Sequence, residues 1–129
     1  MEEEKGGLIV QVTQANEAQP IADANVTVSK TTENGEMLLS VLKTNRNGKT
    51  PKIYLDAPPQ ENSQSPSDLP KFNNYNIRID HPGFYTFEGL DVPIFAGQTS
   101  IQPVALLPLP EGVENGKRIT VVEREPDLS

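Results

Sequence analysis

The sequence predicts an all-β protein, a seven-stranded Greek-key β-sandwich. Short runs of alternating apolar and polar residues fill residues 7–108, and turn-forming residues separate them at a fairly even spacing. Twelve prolines and nine glycines among 129 residues suit many turns and disfavour long helices. About seven short strands in roughly a hundred residues is the number expected of such a sandwich.

The first half of this region predicts two strands and a hairpin. Residues 7–14 and 25–31 alternate cleanly, and residues 37–44 follow as the hairpin partner of the second strand. Between them stands Asn34-Gly35, a pair favoured in two-residue hairpin turns because both positions tolerate a positive φ. Alternation places Met37, Leu39 and Val41 on one face of the third strand, and Leu38 and Leu42 on the other.

A second turn and a long loop come next. Asn47-Gly48 predicts a turn, and residues 50–55 return as a strand. Pro51 places the start of this strand at a sheet edge, since proline has no N–H to donate to a ladder. Residues 57–74 are rich in Pro, Ser, Gln and Asn and show no alternation, which predicts a long irregular connection.

The remaining strands are expected over residues 75–80, in two short runs at 84–87 and 90–94, and over residues 99–107. His81-Pro82-Gly83 forms the turn after the first of these, and Gly83 is expected to need a positive φ. Pro103 indicates an edge position or a bulge in the last strand. The predicted domain therefore covers residues 7–108, with a disordered acidic tail at 1–6 and a linker or C-terminal extension at 109–129, where Ile119–Val122 could add a strand.

Composition narrows the classes of partner. A net charge of −7 disfavours nucleic acid and anionic membrane surfaces, both of which call for a basic patch. No cysteine is present to form a disulfide, a thiolate nucleophile or a Cys-based zinc site. The apolar run near the start of the chain, Leu8 to Val10, is too short for a secretory signal and follows acidic residues, so we expect a chain that stays inside the cell or a module of a larger protein.

No catalytic set is evident, so we expect no enzyme, no metal and no cofactor. His81 is the single histidine, and a general base needs an oriented partner and a nucleophile in reach. The acid pair Asp80 and Asp91 has no aromatic platform around it, which favours solvated surface charge over a glycosidase pair. Residues 45–48 lack the carboxylates of a calcium loop, and Lys49 follows them.

The long loop is the first candidate binding surface. Loops carry binding residues more often than the strands that they connect. Phe72 is expected to be exposed there, while Tyr75 packs in the core. The candidate contact residues are Gln60, Asp68, Lys71, Phe72 and Asn73. An exposed sheet edge that accepts a partner strand is the alternative.

Four segments together resemble a known family. They are the opening G-L-I-V-Q-V, P-I-A-D-A-N-V-T-V, T-N-R-N-G-K-T and Y-N-I-R-I-D-H-P-G-F-Y. With Pro20 to Val28, Thr44 to Thr50 and Tyr75 to Phe84 in the matching positions, the chain resembles the carboxypeptidase regulatory-like domain, a transthyretin-like (prealbumin-type) sandwich. Asn45 stands where that family usually has Asp, which weakens any case for calcium.

The resemblance implies a non-catalytic accessory domain. The S-P-S-D-L-P segment and the closing V-P-I-F-A-G-Q-T-S-I-Q-P-V run are similar to accessory domains of cell-wall proteins in spore-forming bacteria. This similarity implies a role in folding, spacing or attaching a neighbouring wall-lytic or peptidoglycan-binding module. Cell-wall glycan is the implied ligand, and a cytoplasmic or forespore and spore-associated location is the implied setting.

Overall fold

A computed structural model of the chain describes residues 4–16, 18–59 and 71–110, together with the backbone of a strand at 118–122. These ranges hold eight strands: β1 Glu4–Gln14, β2 Asn25–Thr32, β3 Gly35–Lys43, β4 Ile53–Ala57, β5 Asn73–Asp80, β6 Thr86–Ile94, β7 Thr99–Leu106 and β8 Arg118–Val122. They form a three-stranded sheet in the order β4-β1-β7 and a five-stranded sheet in the order β3-β2-β5-β6-β8. The predicted all-β sandwich is confirmed.

The core lies between the two sheets and follows the predicted alternation. Leu8, Val10 and Val12 of β1 face Val26 and Val28 of β2 across it, all at most 1% exposed. Strands β5, β6 and β7 contribute Tyr75, Ile77, Ile79, Val92, Ile94, Val104 and Leu106. Period-two burial of this kind is what a strand with one face in the core requires.

The two proline-based edge predictions are confirmed. Strand β4, which Pro51 precedes, is one outer strand of the three-stranded sheet, and β7, which contains Pro103, is the other. Proline is tolerated in both places because an edge strand has one side free of ladder hydrogen bonds.

Strands lie on both sides of the predicted domain, residues 7–108. Strand β1 begins at Glu4, so residues 4–6 of the expected acidic tail pair with β4, and Lys5 forms an ion pair with Asp56. Pairing of these backbone groups outweighs the local charge run. In the segment 109–129, residues 118–122 form β8, which runs parallel to β6. The rest of the tail, residues 1–3, lies outside the described residues.

The two Asn-Gly turns exist, but only their glycines have a positive φ. Thr32 pairs with Gly35 at the end of the hairpin, so Glu33 and Asn34 form the turn and Gly35 follows it at φ 114°. A type I turn followed by such a glycine is a common hairpin closure. The predicted Asn34-Gly35 turn is therefore displaced by one residue.

The second turn centres on Asn45. Its backbone carbonyl accepts from the Gly48 N–H at 2.8 Å, while its side-chain Oδ1 accepts from the Asn47 and Lys49 N–H groups at 2.8 and 3.1 Å. Gly48 has φ 76°, and Asn47 keeps a negative φ. The side chain thus stabilises the turn, as expected for Asn or Asp at this position.

Strand β3 contains a β-bulge that changes its face assignment. Val28 pairs with Ser40 but the next residue, Ser29, pairs with Leu38, so Leu39 is an extra residue. Leu38 and Val41 therefore share the outer face of the sheet, where the predicted alternation placed them on opposite faces. Because a bulge leaves no period-two signature, alternation alone predicts the wrong faces for part of β3.

Candidate functional site

The predicted binding loop is only partly described. Gln60 and Asp68 lie outside the described residues, and Lys71 is exposed. Phe72 is half-buried, with its ring centroid 5.4 Å from that of Phe95. Phe72 is therefore less exposed than expected, because Phe95, which follows β6, lies against its ring. Its role as a contact residue stays a prediction.

Asn73, the residue after Phe72, has a structural role. Its side-chain amide donates to the Asp56 carbonyl oxygen at 3.0 Å, and the Tyr75 hydroxyl donates to the same oxygen. These bonds join the start of β5 to the end of β4 and so connect the two sheets. Asn73 therefore helps to hold the two sheets together.

Two buried threonines explain the T-N-R-N-G-K-T segment. The Thr44 hydroxyl donates to the Ile21 carbonyl at 2.6 Å and accepts from the Ala24 N–H at 3.0 Å. The Thr50 hydroxyl accepts from the Val10 N–H at 3.0 Å. Both side chains satisfy backbone groups that the core would otherwise leave unpaired.

The single histidine lies in a tight turn. The Phe84 N–H donates to the His81 carbonyl, and Gly83 has φ 87° as predicted, which with Pro82 before it is the pattern of a type II turn. The His81 ring lies edge-on to Phe84 with centroids 5.5 Å apart, and its Nδ1 is 2.8 Å from the Pro82 carbonyl oxygen. These contacts hold the turn.

The two residues of the acid pair, Asp80 and Asp91, have structural partners. Asp80 accepts from the Thr86 hydroxyl at 2.8 Å and pairs with Arg78 at 3.3 Å. Asp91 sits in a bulge of β6 at φ 61°, where its N–H donates to the Asn76 side chain at 3.1 Å. In the described ranges no group of three His, Cys, Asp or Glu side chains is placed to hold a metal ion, and every buried side-chain polar atom there has a hydrogen-bond partner.

The outer edge of β3 is the remaining candidate for a binding surface. Within the described residues, β3 pairs with β2 on one side and with no strand on the other. Met37, Leu38 and Val41 are 52%, 62% and 62% exposed, and Leu39 is 39% exposed. We call β3 with these four side chains the β3 edge. Sequence reasoning named an exposed edge only in general terms, since lateral strand order cannot be read from alternation.

The other three sheet edges carry the devices that usually prevent strand pairing. Strands β4 and β8 are five residues long, and β7 contains Pro103. Strand β3 has nine residues and no proline, and its charged residues, Glu36 and Lys43, stand near its ends. Short strands, prolines and central charges protect edges, so in the described part of the chain β3 is protected only by its bulge.

The β3 edge continues onto the neighbouring sheet. A cleft of about 230 Å³ separates β3 from β4 and is lined by Leu39, Ser40, Tyr54 and Leu55 among others. Tyr54 is 63% exposed, and the Lys52 ammonium lies 5.0 Å from its ring centroid. The open edges of both sheets therefore lie on the same side of the sandwich.

Solved structures share this fold at low sequence identity. The chain is similar to the Bacillus anthracis TIE protein (12% identity, TM-score 0.53, covering 82% of this chain) and to a minor pilin of Streptococcus agalactiae (12%, 0.59, 88%). It is also similar to a catechol 1,2-dioxygenase from an Acinetobacter species (12% identity, TM-score 0.57, covering 94% of this chain). It spans 17%, 49% and 59% of those chains respectively, so it corresponds to part of each.

These likenesses concern the fold, and they agree with the transthyretin-like sandwich that the sequence resemblance implied. No protein-family model and no curated protein sequence matches the chain. Among the described residues, no helix is long and apolar enough to cross a membrane.

Proposed function

We propose that this chain is a non-catalytic interaction module, of the adhesion or binding class, that accepts an extended strand from a partner protein along the β3 edge. One observation carries the proposal: among the described residues, the longest outer strand also presents the largest group of exposed apolar side chains. In strand addition, main-chain hydrogen bonds provide affinity and alternate side chains provide specificity.

The physical cost of leaving this edge open supports the proposal. An outer strand offers a row of N–H and C=O groups to any extended segment, and apolar side chains beside that row favour pairing further. An edge protected by a bulge alone exposes a protein to aggregation unless a partner uses it. The other edges show the protective devices, so the difference at β3 is specific to that strand.

The described part of the 57–74 loop is a weaker candidate. Phe72 and Asn73 are engaged by Phe95 and Asp56, so neither side chain is available in full to a ligand. The fold itself is compatible with an adhesion role, since a minor pilin also contains it.

The test is selection of linear peptides by the purified chain. A phage-displayed library of eight-residue peptides is panned against the wild-type chain, against Leu38→Lys/Val41→Lys, and against Ile101→Lys. Ile101 is exposed on β7, so Ile101→Lys is an apolar-to-lysine change on another edge. We expect the wild type and Ile101→Lys to enrich peptides with alternating apolar residues, and the β3 variant to lose them.

Two outcomes would overturn the proposal. One is equal enrichment on the β3 variant, which would place peptide binding elsewhere. The other is no enrichment on the wild type at dilute protein concentration. Circular dichroism of each variant checks that the sandwich is folded.

The cellular setting is a further part of the proposal. The family resemblance suggests attachment or spacing of a wall-lytic or peptidoglycan-binding module in a cell-wall or spore-associated protein. Co-sedimentation of the chain with insoluble peptidoglycan from vegetative walls and from spore cortex tests direct attachment to glycan. If the variant Leu38→Lys/Val41→Lys pellets as well as the wild type, glycan binds away from the β3 edge. If the wild type does not pellet, the partner is a protein and not glycan.

A further inference from the structure

We infer that the strand received at the β3 edge is β3 of a second copy of this chain, antiparallel and in the register that sets Glu36 opposite Lys43. The inference rests on the proposed function, because it names the partner for the same edge. The two copies would share one continuous sheet across a twofold axis.

The β-bulge determines which β3 side chains share a face. Directly paired residues of neighbouring strands lie on the same side of a sheet. Leu38 pairs with Ser29 and Val41 with Thr27, both on the outer face, whereas Leu42 pairs with the core residue Val26. Glu36 lines the outer cleft with Thr27 and Ser29, and Lys43 follows Val41 by two residues on the same face.

This pattern is self-complementary in one antiparallel register. With Glu36 opposite Lys43 of the second copy, Leu38 meets Val41 on the outer face and Met37 meets Leu42 on the inner face. The twofold axis repeats each pair, which gives two Glu–Lys pairs at the ends of the seam. Opposite charges and apolar pairs placed directly across a sheet are both stabilising.

Registers shifted by one residue lose this match. A shift in one direction sets Glu36 opposite Leu42, and a shift in the other sets Leu38 opposite Leu42, so in each case an outer-face residue meets an inner-face residue. A one-residue slip moves side chains to the wrong face, which is why a half-buried strand specifies its register.

The bulge, which makes pairing with a regular strand less favourable, fits a second copy. Leu39 is an extra residue on β3, and an ordinary partner strand has no extra residue to place opposite it. In the self-paired register Leu39 lies opposite Ser40 of the second copy, and each strand supplies one extra residue at the centre of the seam. The bulge therefore favours self-pairing over regular strands.

Charge exchange tests this register. Sedimentation equilibrium measures the dimer dissociation constant of the wild type, Glu36→Lys, Lys43→Glu and the double variant. Each single change sets like charges opposite each other twice, so we expect dimerisation to weaken by about tenfold. The double variant restores opposite charges and should return to within about threefold of the wild type. Denaturant unfolding checks each variant, since the Asn76 side chain also contacts Glu36 at 3.4 Å.

The outcomes separate this inference from the proposed function. A wild type that stays monomeric at millimolar concentration overturns the inference, as does a double variant no tighter than the single ones. If peptides are still enriched at β3 in either case, the proposed function stands with a different partner strand. If dimers form but Leu38→Lys/Val41→Lys leaves both dimerisation and peptide selection unchanged, both the inference and the proposed function are wrong.

Discussion

Thr44 shows how single side chains fix the sandwich. Its hydroxyl bridges Ile21 and Ala24, and its own backbone bonds Ala24 and Asp23 at 3.1 and 3.0 Å. Thr44→Val keeps the shape but leaves two backbone groups unsatisfied, so we expect a loss of about 1 to 3 kcal/mol in the free energy of unfolding. Thr44→Ser, which keeps the hydroxyl, is the control. Equal urea midpoints for Val and Ser would contradict this role.

Gly83 has a conformational role. At φ 87° a β-branched residue is strained, although an added Cβ would meet nothing within 4 Å. We expect Gly83→Val to cost about 1 to 2 kcal/mol, from the backbone alone. Gly83→Asn should cost less, because asparagine tolerates this region better. Thermal unfolding of both variants is the measurement, and an unchanged melting temperature for the valine variant would exclude a required positive φ.

Replacing Phe72 distinguishes a structural role of this side chain from a role in binding. Because its ring packs on Phe95, Phe72→Ala should lower the unfolding free energy by about 1 to 2 kcal/mol. Peptide selection at the β3 edge should be unaffected. Lys71→Ala changes the exposed neighbouring residue and is the control for the effect of any substitution in this segment. A stable Phe72→Ala variant with lost binding would return the function to the loop.

At the scale of the element, β3 combines long length with exposed apolar side chains. Residues on an exposed edge contribute little to the core, so Leu38→Lys/Val41→Lys should change the unfolding free energy by less than about 1 kcal/mol while abolishing strand binding. A large loss of stability would mean that these side chains pack within the fold. Urea unfolding of the double variant and of Ile101→Lys makes the comparison.

The elements were predictable where local chemistry specifies them. Alternation identified β1, β2 and β5, and the missing N–H of Pro51 and Pro103 identified two edges. The β3 bulge and the contact of Phe72 with Phe95 were not predictable, because both depend on which strands become neighbours. The β3 edge emerges only once the sheet order is known, since nothing in an outer strand's own sequence states its position.

At the scale of the whole molecule, the two sheets bring their open edges β3 and β4 to the same side. Tyr54 therefore extends the apolar surface of the β3 edge across the cleft. A partner strand or a second copy would approach both sheets together. Tyr54→Ser should weaken strand binding less than Leu38→Lys/Val41→Lys, because it removes a flanking contact and leaves the main-chain ladder intact. Fluorescence anisotropy of a labelled selected peptide measures both, and equal losses would contradict the ladder as the main source of affinity.

Amide hydrogen exchange tests the central claim most directly. The chain is followed by mass spectrometry, at a concentration where it is monomeric, with and without a selected strand peptide. If β3 accepts the strand, exchange slows over residues 35–43, because newly paired N–H groups are protected, while residues 71–74 are unchanged. Slowed exchange at 71–74 with β3 unaffected would assign binding to the loop and contradict the account.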